Sequence, residues 1–334
     1  MTFAASRLYF SIMLLHRRRC PIPLFCLLFC ICGAGPSGPP GPLVVCDGPS
    51  GGHIANAARF GLFSEAWYGN YPANLDSVIT VLGRTPGYSL WYQQIDDAFP
   101  QAIVSHNAGR GIRTVISMNI KSQALDSVRN DTLLREIAAG AWDSVLQTFA
   151  RAARAAAVPV YLRFGYEMNC DWFPWGEKPA DFIAAWRRAH GIFRADSAEN
   201  VSWVFSPNVI WGDKTVPNDI LPYYPGDSLV DIIGVDGYNF GEFDSLHAWK
   251  SFESIFGPTL FGLVPLGKPL WLSEIACLSD SRRPQWLRDL FAFMDANPCI
   301  EAMLWFDAHK SGEPDFRLTS DSASLSIVQA WLAK

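Results

Sequence analysis

Glutamate, asparagine and tryptophan crowd together at the end of one apolar run, residues 160–175 (VYLRFGYEMNCDWFPW). The run opens with Val160, Leu162 and Phe164, which read as a buried strand. It ends in Tyr166, Glu167, Asn169, Asp171, Trp172 and Trp175, a cluster no apolar core would choose. A carboxylate beside tryptophans suits a sugar. An indole face covers the CH face of a pyranose, and a carboxyl can pass a proton to a glycosidic oxygen. A second carboxylate, Glu274, closes another apolar run, 269–273, about a hundred residues later. Breaking a glycosidic bond takes one group that protonates the leaving oxygen and another that attacks or stabilises the anomeric carbon. Glu167 and Glu274 are candidates for those roles if the fold brings the two run ends together.

The elements between and around them meet that condition. From about residue 56, short apolar runs alternate with amphipathic stretches. The runs at 58–63, 88–92, 112–118, 159–165, 201–206, 231–236, 269–273 and 300–306 read as parallel strands buried on both faces. Helical spacing of apolar residues marks 142–156, 181–195 and 284–295, with a weaker pattern at 74–82. Eight strands alternating with helices is the count of a single α/β domain of the (β/α)8 TIM-barrel class over residues 56–334. Active-site groups of that architecture sit at strand C-terminal ends. The polar residues there are Asn119, Glu167, Ser206 with Asn208, Asp236 with Tyr238, Glu274 and Asp307.

Composition narrows the partners. The 334 residues are 49% hydrophobic and include 13 Trp, enough for a large core and a surplus for a carbohydrate cleft. The formal net charge is -5, and the first 35 residues hold four arginines and no acid, so the remainder stands at -9. An acidic body argues against nucleic acid as a partner. Residues 1–34 read as a signal peptide or an N-terminal anchor, with Arg17–Arg19 before a short apolar stretch and small residues after it. Either Met1 or Met13 is a fitting start. The protein is expected to be secreted or extracytoplasmic. Residues 35–55, rich in Gly and Pro, read as a linker. Gly33 to Gly38 spells a dinucleotide-binding glycine pattern, but prolines follow where a helix is required. Four cysteines lie beyond residue 34: Cys46, Cys170, Cys277 and Cys299. They allow three pairings, one of which joins Cys170 to Cys277, each three residues after a candidate glutamate. No His or Cys spacing marks a metal site, and no cofactor is expected.

The segments RFGYEMNCDWFPWG (163–176), WVFSPN (203–208), YYPGDSLVDIIGVDGYNFG (223–241), GKPLWLSEIA (267–276) and DFRLTSDSASL (315–325) resemble glycoside hydrolase family 26. The likeness runs over roughly residues 58–332. It implies a barrel of the retaining clan, with β-mannanases and mixed-linkage β-glucanases as relatives. It further implies Glu167 as acid/base and Glu274 as nucleophile. Arg163 would support the carboxylates, and Trp172 would lie near the scissile subsite. Asp236 and Tyr238 match an Asp-x-Tyr pair, with Tyr238 donating to Glu274. Trp305 would form a platform under the sugar. Tyr166 stands where the family has histidine, which bears on substrate choice. Met118-Asn119 departs from the family's Trp-Glu-Pro.

The sequence therefore predicts a monomeric, secreted, retaining endo-β-glycanase acting on a β-linked polysaccharide or oligosaccharide, mannan or mixed-linkage glucan first. The alternative is a carbohydrate-binding pseudoenzyme on the same barrel. Trp172, Phe173, Trp175, Trp211, Tyr223, Tyr224, Phe240 and Phe243 are expected to line an extended cleft. Apolar surroundings at Trp172 and repulsion from Glu274 should raise the Glu167 pKa.

Overall fold

The computed structural model describes Val45, residues 54–211 and residues 218–334. The N-terminal segment 1–34, Cys46 and most of the linker lie outside the described residues. Val45 itself is buried against the barrel, its backbone N–H donating to Asn297 Oδ1 at 2.6 Å.

All eight strands form where the apolar runs predict them. They are β1 (Phe60–Ser64), β2 (Tyr88–Gln94), β3 (Arg113–Asn119), β4 (Val160–Phe164), β5 (Val201–Phe205), β6 (Ile232–Asn239), β7 (Leu270–Cys277) and β8 (Ile300–Asp307). Each pairs in parallel with the next, and β1 pairs with β8, so the sheet closes into a barrel. Strands covered by helices outside and side chains inside need apolar residues on both faces, and nearly every strand position is buried.

The helices are α1 (Asn56–Arg59), α2 (Tyr71–Leu82), α3 (Gln101–Ala108), α4 (Ser127–Ala138), α5 (Asp143–Ala156), α6 (Pro179–Ala195), α7 (Phe252–Leu263), α8 (Arg283–Ala296) and α9 (Ser322–Leu332). Three start on side-chain caps that satisfy backbone donors otherwise left orphaned. Asp126 caps α4, Ser251 caps α7 and Asp321 caps α9. Helix α6 turns Phe182, Ala185, Trp186, Ala189 and Phe193 inward, the stripe read from its spacing. Trp186 packs on Trp203 of β5 with ring centroids 5.2 Å apart. Burying a side chain of that size contributes about 1.5–3 kcal/mol or more.

Inside the barrel, Tyr88 of β2, Tyr161 of β4 and Trp271 of β7 form an aromatic layer with centroids 4.9–5.8 Å apart. Side chains that point inward nearer the C-terminal strand ends rest on this floor. They are the ones that carry charge.

Candidate active site

Glu167 lies three residues beyond the end of β4. Gly165 (φ 64°) and Glu167 (φ 51°) both take left-handed backbone, which reverses the chain sharply off the strand. Glycine adopts that region freely, whereas a glutamate there is strained by about 1–3 kcal/mol. The backbone N–H of Glu167 is tied to Ser206 O at 2.7 Å, which fixes the turn against the end of β5. The carboxylate is buried. Its Oε2 accepts from Trp172 Nε1 at 2.7 Å and its Oε1 from Asn208 Nδ2 at 2.8 Å. Asn208 is held in turn by Asn169 Oδ1 on its backbone N–H (2.9 Å) and by Trp211 Nε1 on its own Oδ1 (3.1 Å). Trp172 and Trp211 stack at 5.2 Å, so both partners of Glu167 belong to one aromatic and amide assembly.

Glu274 sits within β7, and strand register places it beside Asp236 of β6. Arg163, fully buried on β4, binds both. Its Nη2 pairs with Asp236 Oδ2 and its Nη1 lies 3.0 Å from Glu274 Oε2. Two further guanidinium N–H groups donate to Ser206 Oγ (2.9 Å) and Ser117 Oγ (2.7 Å). Ser273 donates to Asp236 at 2.7 Å and contacts Ser206 Oγ at the same distance. A Cβ at Gly234 would lie 2.2 Å from Ser273 Oγ, so glycine is what leaves room for this hydroxyl pair. Two phenols complete the cage: Tyr238 donates to Glu274 Oε1, and Tyr92 of β2 donates to Glu274 Oε2.

Charge balance separates the two glutamates. One guanidinium faces three buried carboxyls, and it touches only Asp236 and Glu274. Burial raises the Asp236 carboxyl well above its ordinary value with Arg163 opposing the rise, and of the two glutamates Glu167 is the one left without a cation in contact. Burial pushes its pKa up to about 7, the negative charge of Glu274 adds to the rise, and the bonds from Asn208 and Trp172 oppose it. The expectation for Trp172 needs correcting in sign, because its indole N–H stabilises the ionised form. Burial opposes the Arg163 charge, but Asp236 and Glu274 hold the guanidinium more firmly protonated than usual.

A pH dependence follows. A proton donor works only below its pKa, so kcat/KM should fall on the alkaline side with a midpoint near pH 7. Asn208→Ala removes a bond that favours the ionised state, so its alkaline limb should move to higher pH. A pH–rate titration in which the limb stays in place, or moves down, would contradict the assignment.

The remaining sequence candidates divide. Tyr166 is buried and donates to Asn119 Oδ1 at 2.8 Å, with the Arg163 guanidinium 4.9 Å over its ring. Asn119 Nδ2 and Gln94 Oε1, on register-paired residues of β3 and β2, are buried and find no hydrogen-bond partner among the described residues. Trp305 is corrected. It is wholly buried, faces Trp286 of α8 and donates to Phe316 O at 2.9 Å, so it offers no platform to a sugar. Alternation along β8 turns Phe306 inward instead, with its ring 5.8 Å from Tyr238 and 6.3 Å from Tyr92. Trp175 is wholly buried and cannot line a cleft, Tyr223 is largely buried, and Trp172, Phe173 and Trp211 keep partial exposure. Cys170 and Cys277 are buried free thiols, so the pairing between them does not form, and Cys299 is disulfide-bonded. Sequence reasoning missed Tyr92 as a partner of Glu274. It named Asn208 only as a strand-end residue.

A closed (β/α)8 barrel holding a glutamate after β4, another within β7 and an arginine between them is the architecture of a glycoside hydrolase. The comparisons agree. The model of glycosyl hydrolase family 26 matches residues 104–268. Endoglucanase H of Acetivibrio thermocellus is 30% identical over 206 residues, 58% of this chain and 22% of that protein. A mannan endo-1,4-beta-mannosidase of Bacillus subtilis is 27% identical over 152 residues, 42% of this chain and 38% of that one. The aligned parts thus span well under half of these relatives. Among solved structures, a GH26 beta-mannanase from Bacteroides ovatus superposes with a TM-score of 0.60 at 18% identity, over 81% of this chain and 87% of that chain. A Cellulomonas fimi endo-beta-1,4-mannanase gives 0.64 at 18% identity, over 84% and 71%. The chain is thus similar to glycosyl hydrolase family 26 over the segment that the family model matches, and it shares the barrel fold of that family's solved structures.

Proposed function

We propose that the chain is an endo-acting β-glycanase that cleaves a β-1,4-linked backbone, mannan or mixed-linkage β-glucan, by double displacement with retention. The observation that carries this reading is the unequal surroundings of the two carboxyls. Glu167 makes no contact with the guanidinium and burial raises its pKa to about 7, whereas Glu274 is caged by Arg163 and two phenols. One is equipped to donate, the other to attack. Trp172 ties the acid to the partly exposed face where a leaving sugar would stack. Both backbones stay in the proposal because the relatives' names divide between endoglucanase and mannan endo-1,4-beta-mannosidase.

The test is sugar release from mannan, barley-type glucan and xylan, with the first-formed anomer followed by proton NMR. The β-anomer should appear first and mutarotate later. Viscosity should fall faster than reducing ends accumulate, as mid-chain cleavage requires. An α-anomer at the start would replace retention with inversion. Binding to a glycan with no release from any polymer would favour the pseudoenzyme. Export belongs to the same reading and rests on the basic and apolar N-terminal sequence. Fractionation that left all activity in the cytoplasm would remove it.

A further inference from the structure

We propose that Tyr92 selects which oxygen of Glu274 attacks the sugar and chiefly assists the breakdown of the covalent intermediate. The inference rests on the double-displacement reading above and extends it to a residue that the sequence reading left in the core.

A carboxylate offers about four lone-pair positions, two on each oxygen. Among the described residues, Glu274 Oε2 accepts from two donors, the Tyr92 hydroxyl and Arg163 Nη1. That oxygen is filled. Oε1 accepts from Tyr238 alone. The lone pair still free lies on Oε1, which makes Oε1 the atom that bonds to the anomeric carbon. Tyr92 cannot swing away easily. It is buried on β2, edge-on to Phe63 at 4.9 Å and to Tyr166 at 5.5 Å.

The two steps use this arrangement differently. In the first, the bond from Oε1 to the anomeric carbon forms, the bond to the leaving oxygen breaks, and the Glu167 proton moves to that oxygen. Glu274 is now an ester, and Oε2 is its carbonyl oxygen. In the second, Glu167 takes a proton from water and the water oxygen bonds to the anomeric carbon. The Oε1 bond breaks and its electron pair returns to Glu274. Negative charge then reappears on Oε2, where the Tyr92 hydroxyl and Arg163 already point. A donor on the carboxylate stabilises the free enzyme fully, each transition state in part and the ester least. Removing it leaves ester formation unchanged or faster and makes Glu274 a poorer leaving group. Tyr92 is a positioning residue, since it acts through Glu274 and does not touch the sugar.

The experiment compares wild type with Tyr92→Phe, which keeps the ring and removes the hydroxyl. The substrate is the 2,4-dinitrophenyl β-glycoside of mannobiose or cellobiose, whichever wild type cleaves. Its leaving group needs no proton, so intermediate breakdown limits turnover. The expected result is a full burst of dinitrophenolate at a rate equal to or above wild type. The steady state that follows should be slower by about 10- to 100-fold, with KM lower in parallel. Intact-mass analysis of quenched enzyme should show a glycosyl adduct on Glu274. Three results overturn the proposal: unchanged kinetics, a slowed burst, or a lower kcat with unchanged KM and no adduct. If wild type itself yields the inverted anomer, or cleaves neither glycoside nor any polymer, the double-displacement reading fails as well. Retention in wild type with no adduct in the variant rejects the role of Tyr92 alone.

Discussion

Glu274→Ala is expected to lose about four orders of magnitude in kcat on the polymer that wild type cleaves, or roughly 5 kcal/mol of transition-state stabilisation. Without the carboxylate nothing is positioned to attack the anomeric carbon, and the remaining groups act only by binding and proton donation. The variant should fold, because the deletion removes a buried negative charge and leaves Arg163 its partner Asp236. It also leaves a gap beside the sugar. Azide should enter that gap and restore turnover of an activated aryl glycoside, giving a glycosyl azide of inverted configuration. Glu167→Ala should behave differently. It should lose about 10²–10⁴-fold on the polymer and much less on an aryl glycoside whose leaving group needs no proton. Similar losses for both variants on both substrates, with no azide product, would show that the two carboxyls are not divided as proposed.

Arg163→Met should be the most destabilising single substitution in the barrel. Methionine fills much of the same volume but offers no charge, so Asp236 and Glu274 are left buried without a cation. Breaking a buried ion pair in this way costs about 3–5 kcal/mol. At roughly 2–4 °C per kcal/mol for a domain of this size, the melting temperature should fall by about 10 °C or more. The sign of the pH dependence is specific. Burial already raises the Asp236 carboxyl well above its ordinary value and Arg163 opposes that rise, so without Arg163 the folded variant takes up protons more readily than the unfolded chain. Its stability is retained at low pH and lost as pH rises through that raised value. The deficit relative to wild type should therefore be larger at pH 8 than at pH 5. Adding Asp236→Asn should recover part of it, because one unpaired charge is removed. A pH-independent deficit, or no recovery in the double variant, would mean that Arg163 contributes by packing alone. Lysine should not substitute well, since one ammonium cannot reach Ser117, Ser206, Asp236 and Glu274 together.

The strands were legible because a parallel barrel buries both faces of each strand, and such runs stand out between polar connections. The same property hid which way each side chain points. With no alternation of polar and apolar residues, Trp305 and Phe306 are equivalent as sequence, and the larger ring was given the site. Tyr92 was hidden in the same way, since in Tyr-Ser-Leu-Trp-Tyr it reads as one more core aromatic. Glu167, Glu274, Arg163 and Asp236 were legible because a charge at the end of an apolar run has few other uses. Among helices, α7 was obscured by Gly257-Pro258, which reads as a break, yet the helix continues through Pro258. Helix α4 was obscured by its polar composition and depends on the Asp126 cap and on buried Leu133, Leu134 and Ile137.

The left-handed backbone at Glu167 bears on how the activity could be lost. Either glutamate codon becomes a glycine codon by one nucleotide change. Glycine at this position would relieve the backbone strain and also remove a buried ionisable group. That step would ease the turn but strand the Trp172 and Asn208 donors that now bond to the carboxylate, so the backbone gain and the lost hydrogen bonds oppose each other. A glutamate held in this strained turn is what the role proposed for Glu167 requires, since the local backbone alone would prefer glycine.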